Sequence, residues 1–163
     1  RQVIVLSPSH EDPRSDSLVA SIAFVMNNMN PEIDIVVECL DFKHAALFNV
    51  SDRVKLVYTQ QIANNLLVQE VQDPGVSLVT QTITSNQIEG TLSITLVDMA
   101  PPEATSYTDV AKRLLDHRIN LVGFIRDSSA RVSFDGFNLA KGDSLVYVAR
   151  ARQTWDVLLD FLS

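Results

Sequence analysis

The chain has 163 residues, of which 46% are hydrophobic and 20% are charged, and its net charge is −7. A chain of this length can bury a core as one domain or as two small lobes. The acidic balance argues against a nucleic-acid-binding protein, because neutralising phosphates requires clustered lysine and arginine side chains. No apolar run reaches the length that spans a bilayer, which argues against direct membrane insertion.

The single cysteine and the first residues bear on where the protein works. Cys39 has no second cysteine with which to form an internal disulfide, and this favours a reducing compartment. The chain begins at Arg1, directly before an apolar strand pattern and without a signal peptide. We therefore expect a fragment of a longer protein of the cytoplasm.

Strand and helix patterns alternate over residues 1–58. Apolar runs predict strands at residues 2–7, 33–40 and 54–58, and the first of them is expected to be covered on both faces. Strands that alternate with helices at this spacing predict a parallel sheet with right-handed crossovers.

Two helices are expected between these strands. The first should be capped by Ser15 or Asp16 and should end before Pro31, because the residue that precedes a proline avoids the helical region. The second, shorter helix should be capped by Asp41 and run through Phe48. The positions of the first helix predicted to face inward are Leu18, Val19, Ile22, Ala23, Val25 and Met26.

The middle of the chain breaks the alternation. Two consecutive helical patterns, at residues 60–71 and 74–85, surround a turn at Asp73-Pro74-Gly75. Two interpretations remain open, a helical hairpin that covers a sheet edge and an arm that makes a dimer. The apolar positions of the first pattern are Ile62, Leu66, Leu67 and Val71.

From residue 89 the apolar period becomes two. Leu92, Ile94 and Leu96 alternate with polar residues, which predicts a half-buried strand. A loop at residues 99–102 precedes a helix, capped by Thr105 or Ser106, whose inward positions are expected to be Val110, Ala111, Leu114 and Leu115. Strands are expected at residues 119–126 and 131–137 around a polar turn, then at 144–149 after Gly142-Asp143, and a closing helix at 153–162.

The order of these elements resembles the regulator-of-potassium-conductance (RCK) domain of the Trk-type uptake regulator and of ligand-gated potassium channels. The first lobe resembles the second half of that family's nucleotide-binding lobe in the stretch VIVLS…EDPRSDSLVASIAFVMNNMNPEIDIVVECLD. The family has a helix-turn-helix arm where this chain has YTQQIANNLLVQEVQDPGVSLVTQTI, and its C-terminal lobe is similar to LVGFIRDSSARVSFDGFNLAKGDSLVYVA. The segments SDSLVASIAFVMNNM and VVECLD also resemble the Castor and Pollux ion channels of that group.

The resemblance implies an α/β fold in three parts. Residues 1–58 would be a partial Rossmann-like lobe, residues 59–88 a helix-turn-helix crossover or dimerisation arm, and residues 89–163 a small α+β lobe of the TrkA-C type. The dimer contact would fall on Ile62, Leu66, Leu67 and Val71 of the arm.

The resemblance also implies a function. It points to a cytosolic, ligand-sensing gating domain of a potassium channel or potassium uptake system, held at the inner face of a membrane by its partner. The partners would be further copies, in a dimer or gating ring, and a pore domain or a transporter membrane subunit. The alternative is a soluble regulatory protein that binds a nucleotide or small molecule and has no pore of its own.

The cofactor remains open, with Ca²⁺ and a nucleotide as the candidates. The G-x-G-x-x-G fingerprint that places a dinucleotide pyrophosphate on a helix N-terminus is absent. In the calcium-gated channels of this family, acidic side chains stand at positions that correspond here to Leu6, Glu38 and Leu40. Only Glu38 is acidic, so that calcium site is not carried over.

Acidic residues follow the first two predicted strands. Ligands of open parallel sheets bind beyond the carboxyl ends of the strands, and hard cations need several converging oxygen atoms. We take Glu11, Asp12, Glu38 and Asp41 as the candidate ligand- or cation-binding residues. The alternative is a solvated acidic loop with acidic residues at helix starts, where the helix dipole favours them.

Catalytic signals are weak, and we expect no enzyme. His10, His44 and His117 lie far apart and lack metal-ligand spacing. Ser7 and Ser9 stand near His10, but no nucleophile elbow is present. In the last third of the chain, Arg126 and Arg131 are either clamps for an anion or exposed arginines at strand ends.

Overall fold

The computed structural model describes residues 1–85, 90–99 and 105–162. The chain divides into two compact units, Arg1–Ser77 and Leu78–Ser163. The first unit contains a three-stranded parallel sheet and the second a four-stranded antiparallel sheet. The predicted class, a parallel α/β part followed by a small α+β part, is confirmed. The predicted lobe boundary between residues 88 and 89 and most of the predicted loop at 99–102 lie outside the described residues.

The elements of the first unit match the predicted order. They are β1 (Gln2–Val5), α1 (Ser15–Met29), β2 (Asp34–Glu38), a 3₁₀ helix (Phe42–Phe48), β3 (Val54–Val57) and α2 (Thr59–Gln72). The Asp41 side chain accepts a hydrogen bond from the Lys43 amide and caps the 3₁₀ helix, as predicted. Helix α3 (Val76–Thr84) follows after a short turn.

The first sheet is covered on one face by α1 and the 3₁₀ helix. Its strand order is β1-β2-β3, and right-handed crossovers between successive strands in that order place both helices on the same side. The core on this side includes Val19, Ala23, Ile35, Val37 and Phe48. The prediction that β1 is covered on both faces is wrong for the described residues, because the Ile4 side chain on the other face is 69% exposed.

The buried face of α1 is narrower than predicted. Val19 and Ala23 are buried as expected, but Leu18 and Val25 are exposed. Small residues let this helix approach the sheet closely, so the larger apolar side chains beside them stay outside. The predicted cap is also wrong, since the N-cap position is Arg14 and no side chain caps the helix.

The second unit places α4 and α5 on one face of its sheet. Its elements are β4 (Thr91–Leu96), α4 (Tyr107–Asp116), β5 (Asn120–Arg126), β6 (Ser129–Arg131), β7 (Ser144–Ala149) and α5 (Trp155–Leu162), and the strand order is β4-β7-β5-β6. Ser106 caps α4 by accepting a hydrogen bond from the Asp109 amide. The predicted inward position Leu115 is wrong, because that side chain is exposed while Leu114 is buried.

Strand β4 is half-buried as predicted, and its polar side faces the core. Ser93 and Thr95 are buried, whereas Ile94 and its apolar neighbours are exposed. The Thr95 hydroxyl pairs with the Tyr147 hydroxyl at 2.9 Å and donates to the Gln153 carbonyl at 2.7 Å. These hydrogen bonds satisfy a buried hydroxyl, so the burial of the polar side is tolerated.

The hairpin after β5 is tighter than predicted. Asp127 and Ser128 alone form the turn, both with positive φ, as in the two-residue hairpin turns that match the twist of the strands. The short β6 replaces the strand predicted at residues 131–137. Gly123 lies at a bulge in β5, where a Cβ atom would meet the Arg131 carbonyl oxygen.

Candidate functional site

A cavity of about 210 Å³ lies at the carboxyl edge of the first sheet. It is formed by the loop after β1, the start of α1 and the segment after β2. Its lining includes His10, Glu11, Asp12, Asp16, Asp41 and His44. Three of the four predicted ligand-binding residues, Glu11, Asp12 and Asp41, therefore line one cavity, and the fourth, Glu38, contacts His10 at 3.4 Å.

Asp16 connects the segments that surround this cavity. Its carboxylate accepts hydrogen bonds from the backbone amides of Leu40 and Asp41 at 2.9 and 3.1 Å. The same carboxylate lies 2.8 Å from Nδ1 of His44 on the 3₁₀ helix. Asp16 thus fixes the end of β2 and the 3₁₀ helix against the first turn of α1.

The surroundings of Asp16 shift the pKa values of two side chains, Asp16 itself and Cys39. Burial alone would raise the pKa of Asp16, but the hydrogen bonds from Leu40, His44 and Asp41 outweigh it and the pKa is lowered. The neighbouring thiol moves the other way, because burial and the Asp16 charge raise the pKa of Cys39 to about 11. A buried thiol with a raised pKa is unreactive, so Cys39 serves as a small residue of the core.

Glu38 closes the inner end of the site. Thr59 at the start of α2 donates its hydroxyl to one carboxylate oxygen at 2.7 Å, and the Ser7 amide donates to the other at 2.9 Å. The Thr59 hydrogen bond is the main cause that lowers the pKa of Glu38, and burial opposes it. Glu38 therefore ties the ends of β1 and β3 to its own strand.

The remaining predicted residues line the cavity and are at least partly exposed to solvent. Asp12 accepts hydrogen bonds from the Arg14 side chain and amide, and this pairing lowers the Asp12 pKa. Asp41 uses one carboxylate oxygen for its cap of the 3₁₀ helix. Over residues 1–85, 90–99 and 105–162, no group of three or more His, Cys, Asp or Glu side chains is arranged to hold a metal ion.

Sequence reasoning missed the two residues that organise this site. The sequence predicts Asp16 only as one of two possible helix caps, and it indicates for His44 only that metal-ligand spacing is lacking. The signal that could have identified Asp16 is its place in the first turn of a helix that follows one parallel strand and faces the end of the next. In the loop after β1, the Ser9 hydroxyl accepts hydrogen bonds from the backbone amides of Glu11 and Asp12. This hydroxyl therefore stabilises the loop.

The second unit has its own partly buried ion pair. Arg126 donates to both carboxylate oxygens of Asp143 at 2.7 Å, and the Tyr107 hydroxyl donates to one of them at 2.6 Å. Arg126 is therefore neither a free anion clamp nor an exposed arginine at a strand end. Arg131 is exposed, and its guanidinium lies 4.8 Å from the centre of the Phe137 ring.

The predicted dimer residues lie on α2. Ile62, Leu67 and Val71 are exposed and Leu66 is half-buried. No residue of α2 or of α3 is fully buried. The apolar side chains of this arm thus lack a covering partner in a single described chain.

Comparison with known proteins gives a fold. No protein-family model and no curated protein matches the chain. The human SLO3 gating ring matches 91% of the chain at 11% identity with a TM-score of 0.65, and the matched part is 32% of the SLO3 chain. The chain thus spans about a third of the protein that it resembles.

Two GsuK structures also match. The GsuK channel bound to NAD matches 96% of this chain and 26% of its own, and the GsuK RCK domain matches 91% and 30%, both at 14% identity with TM-scores of 0.36. TM-scores of 0.36 do not support an argument about the fold. The assignment of the fold therefore rests on the SLO3 gating ring. Among the described residues, no helix is both long and apolar enough to cross a membrane. The chain has the fold of part of the human SLO3 gating ring.

Proposed function

We propose that this chain is a cytosolic regulatory domain that gates a potassium channel or potassium uptake system in response to a ligand. The observation that carries the proposal is the fold likeness to the human SLO3 gating ring over 91% of the chain. The RCK domain, with a TrkA-C-type C-terminal lobe, is the proposed family, and the Castor and Pollux channels are its proposed relatives within it. The proposal includes no catalytic step.

The proposed ligand site is the cavity at the carboxyl edge of the first sheet. Its wall is acidic, with Glu11, Asp12 and Asp41, and this favours a cation or the cationic part of a small molecule. Because three separate segments meet there through Asp16 and Glu38, a bound ligand would change how the loop after β1 sits on β2. Such a ligand acts by favouring one of two arrangements of the domain.

A change in the arrangement of the domain would reach the membrane through its partner subunits. In this proposal several copies associate through the arm, and a pore domain or transporter subunit holds them at the inner membrane face. The exposed apolar side chains Ile62, Leu67 and Val71 support the arm as an assembly surface, because contiguous exposed apolar patches mark interaction sites.

Ligand binding can be tested by thermal denaturation. Ca²⁺ and NAD would be titrated separately against the wild type, Asp12→Asn and a control, Glu32→Gln. Glu32 pairs with Arg53, away from the cavity lining. A bound ligand raises the melting temperature by mass action. We expect one ligand to raise it in the wild type and in the control, and less in Asp12→Asn.

The contrary outcomes separate the candidate ligands. A melting temperature unmoved by Ca²⁺ rejects the cation site. If neither ligand acts, or if Asp12→Asn responds like the wild type, the cavity is not the sensing site for either ligand.

A further inference from the structure

The second unit has a cavity of about 410 Å³ between the end of β4 and the start of α5. Its lining includes Asp98, Arg152, Thr154 and Trp155. The volume lies within the range of about 300–1,000 Å³ that small-molecule sites occupy. This cavity shares no lining residue with the cavity at the first sheet, so it is a separate candidate for a binding site.

Hydrogen bonds hold the two sides of this cavity together. The Thr95 hydroxyl on β4 donates to the Gln153 carbonyl at 2.7 Å, and the Gln153 amide donates to the Tyr147 hydroxyl at 2.8 Å. Thr95 and Tyr147 are both buried, so the segment before α5 is fixed to the sheet. A cavity whose walls are already ordered loses little entropy when a ligand binds.

Trp155 forms part of the wall, and its indole nitrogen lacks a partner. The side chain is 5% exposed, and Nε1 is buried without a hydrogen-bond acceptor. No other side-chain nitrogen or oxygen in the described part of the chain is both buried and unpartnered. Because a buried indole N–H normally has an acceptor, a molecule in the cavity that Trp155 lines is the expected source of one.

Further donors lie at the same end of the cavity. The first hydrogen bond of α5 runs from the Leu158 amide to the Thr154 carbonyl, so the amides of residues 155–157 have no acceptor within the helix. Free amides at a helix start favour an anion. Arg152 is exposed and has no ion pair among the described residues. Asp156 in the first turn is exposed and outside the cavity lining, so this end suits a carboxylate.

Asp98 adds the opposite charge to the same cavity. Its side chain is exposed, and among the described residues it pairs neither with Arg152 nor with another basic side chain. Leu96, which is 51% exposed, gives the lining an apolar part. A molecule that satisfies all these groups has a carboxylate, an ammonium group and an apolar side chain.

We infer that this cavity binds a free α-amino acid with an aliphatic side chain. The carboxylate of the ligand accepts hydrogen bonds from Arg152, from Nε1 of Trp155 and from the first amides of α5. Its ammonium group pairs with Asp98, and its side chain contacts Leu96. This site goes beyond the proposed function, since it lies in the second unit and uses no residue of the cavity at the first sheet.

Fluorescence and calorimetry test the site. Trp155 is the only tryptophan of the chain, so its emission reports binding at this cavity. L-leucine, L-isoleucine, L-valine and L-methionine would each be titrated into the whole chain, with isothermal titration calorimetry in parallel. We expect a saturable change in emission with at least one of them. The analogue of that amino acid without the ammonium group, and the analogue with an amide in place of the carboxylate, should each bind at least about tenfold more weakly, because each loses a charged interaction.

Two variants test the charged groups. Arg152→Gln and Asp98→Asn each remove one charge at an exposed position, so both should fold, and far-UV circular dichroism would verify this. Each should weaken binding about tenfold. The matched controls are Arg150→Gln and Asp135→Asn, exposed residues outside the cavity lining, which should bind as the wild type does. Asp12→Asn, at the first sheet, should also bind normally.

Other outcomes overturn the inference. They are an unchanged Trp155 emission without calorimetric heat for all four amino acids, an analogue that binds as well as its parent, and normal binding by Arg152→Gln or Asp98→Asn. These results leave the proposed gating function standing, because that function uses the cavity at the first sheet. Conversely, a melting temperature that neither Ca²⁺ nor NAD changes counts against the first cavity and leaves this site untouched.

Discussion

At the scale of single residues, Asp143 shows how the second unit is held together. This carboxylate is 1% exposed. Burial would raise its pKa, but hydrogen bonds from Arg126, Tyr107 and the Ala140 amide outweigh that and lower it. The ion pair joins the end of β5 to the start of β7, and Tyr107 adds α4.

Asp143→Asn should be strongly destabilising, because it leaves Arg126 without its counter-charge. Breaking a fully buried pair costs about 3–5 kcal/mol. Because the Arg126 side chain is 30% exposed, we expect the loss of stability to lie at or below the lower end of that range. Urea denaturation measures the loss, and Asp135→Asn, at an exposed site in the same unit, serves as the control with a change within about 0.5 kcal/mol. Equal effects of the two substitutions would mean that the Asp143 network does not hold the unit.

Asp16 predicts a dependence of stability on pH. Its pKa in the folded chain is lowered from the ordinary 3.8, so its stabilising contribution is complete well above pH 3.8 and is lost as the pH falls through the lowered folded value. The melting temperature of the wild type should drop as the pH falls below about 4. In Asp16→Asn this drop in melting temperature should be smaller, since that variant has already lost the stabilising contribution of the Asp16 carboxylate.

The control for this measurement is Glu32→Gln, which changes an exposed carboxylate away from the cavity. Its melting temperature should drop below about pH 4 by as much as that of the wild type. An Asp16→Asn profile parallel to that of the wild type would show that the hydrogen bonds of Asp16 do not stabilise the fold.

At the scale of the elements, the hairpin between β5 and β6 contains a local strain. Asp127 and Ser128 have φ of 50° and 62°, a region that costs a residue other than glycine roughly 1 kcal/mol. Asparagine and aspartate tolerate it better than serine does, so Ser128 bears most of the strain.

Ser128→Gly should therefore stabilise the second unit by about 0.5–1 kcal/mol, measured by thermal or urea denaturation. The reverse control is Gly142→Ala, at φ 91° beside Asp143, which should destabilise. A loss of stability in Ser128→Gly would mean that the flexibility of glycine outweighs the relief of strain.

The sequence could predict where most elements lie and less well which of their faces are buried. The strand at 144–149 is found with the predicted bounds, because an apolar run opened by Gly-Asp is a strong local signal. The inward face of α1 was not predictable, since many of its side chains are apolar and packing decides among them. In β4, the partners of Thr95 turn the polar side inward.

At the scale of the whole molecule, the chain consists of two units with uncovered apolar surfaces. Ile4 of β1, Val71 of α2 and Ile94 of β4 are all exposed. Surfaces of this kind mark interaction sites, and in the proposed function they would face other subunits.

The candidate site was predictable in part. The rule that ligands bind beyond the carboxyl ends of parallel strands identified Glu11, Asp12 and Asp41, which line one cavity. The contact between Asp16 and His44 joins residues 28 positions apart. It depends on the pairing of β1 with β2 and on the turn after β2, neither of which is visible in a local sequence pattern.

The most direct test of the proposed function is current recording from the full-length protein that contains this chain. Excised inside-out membrane patches would be perfused with the ligand that shifts the melting temperature. We predict a potassium-selective current whose open probability responds to that ligand, with a weaker response in Asp12→Asn and an unchanged one in Glu32→Gln. A protein that gives no potassium current, or a current indifferent to the ligand, would contradict the proposed gating role and favour a regulator without a pore.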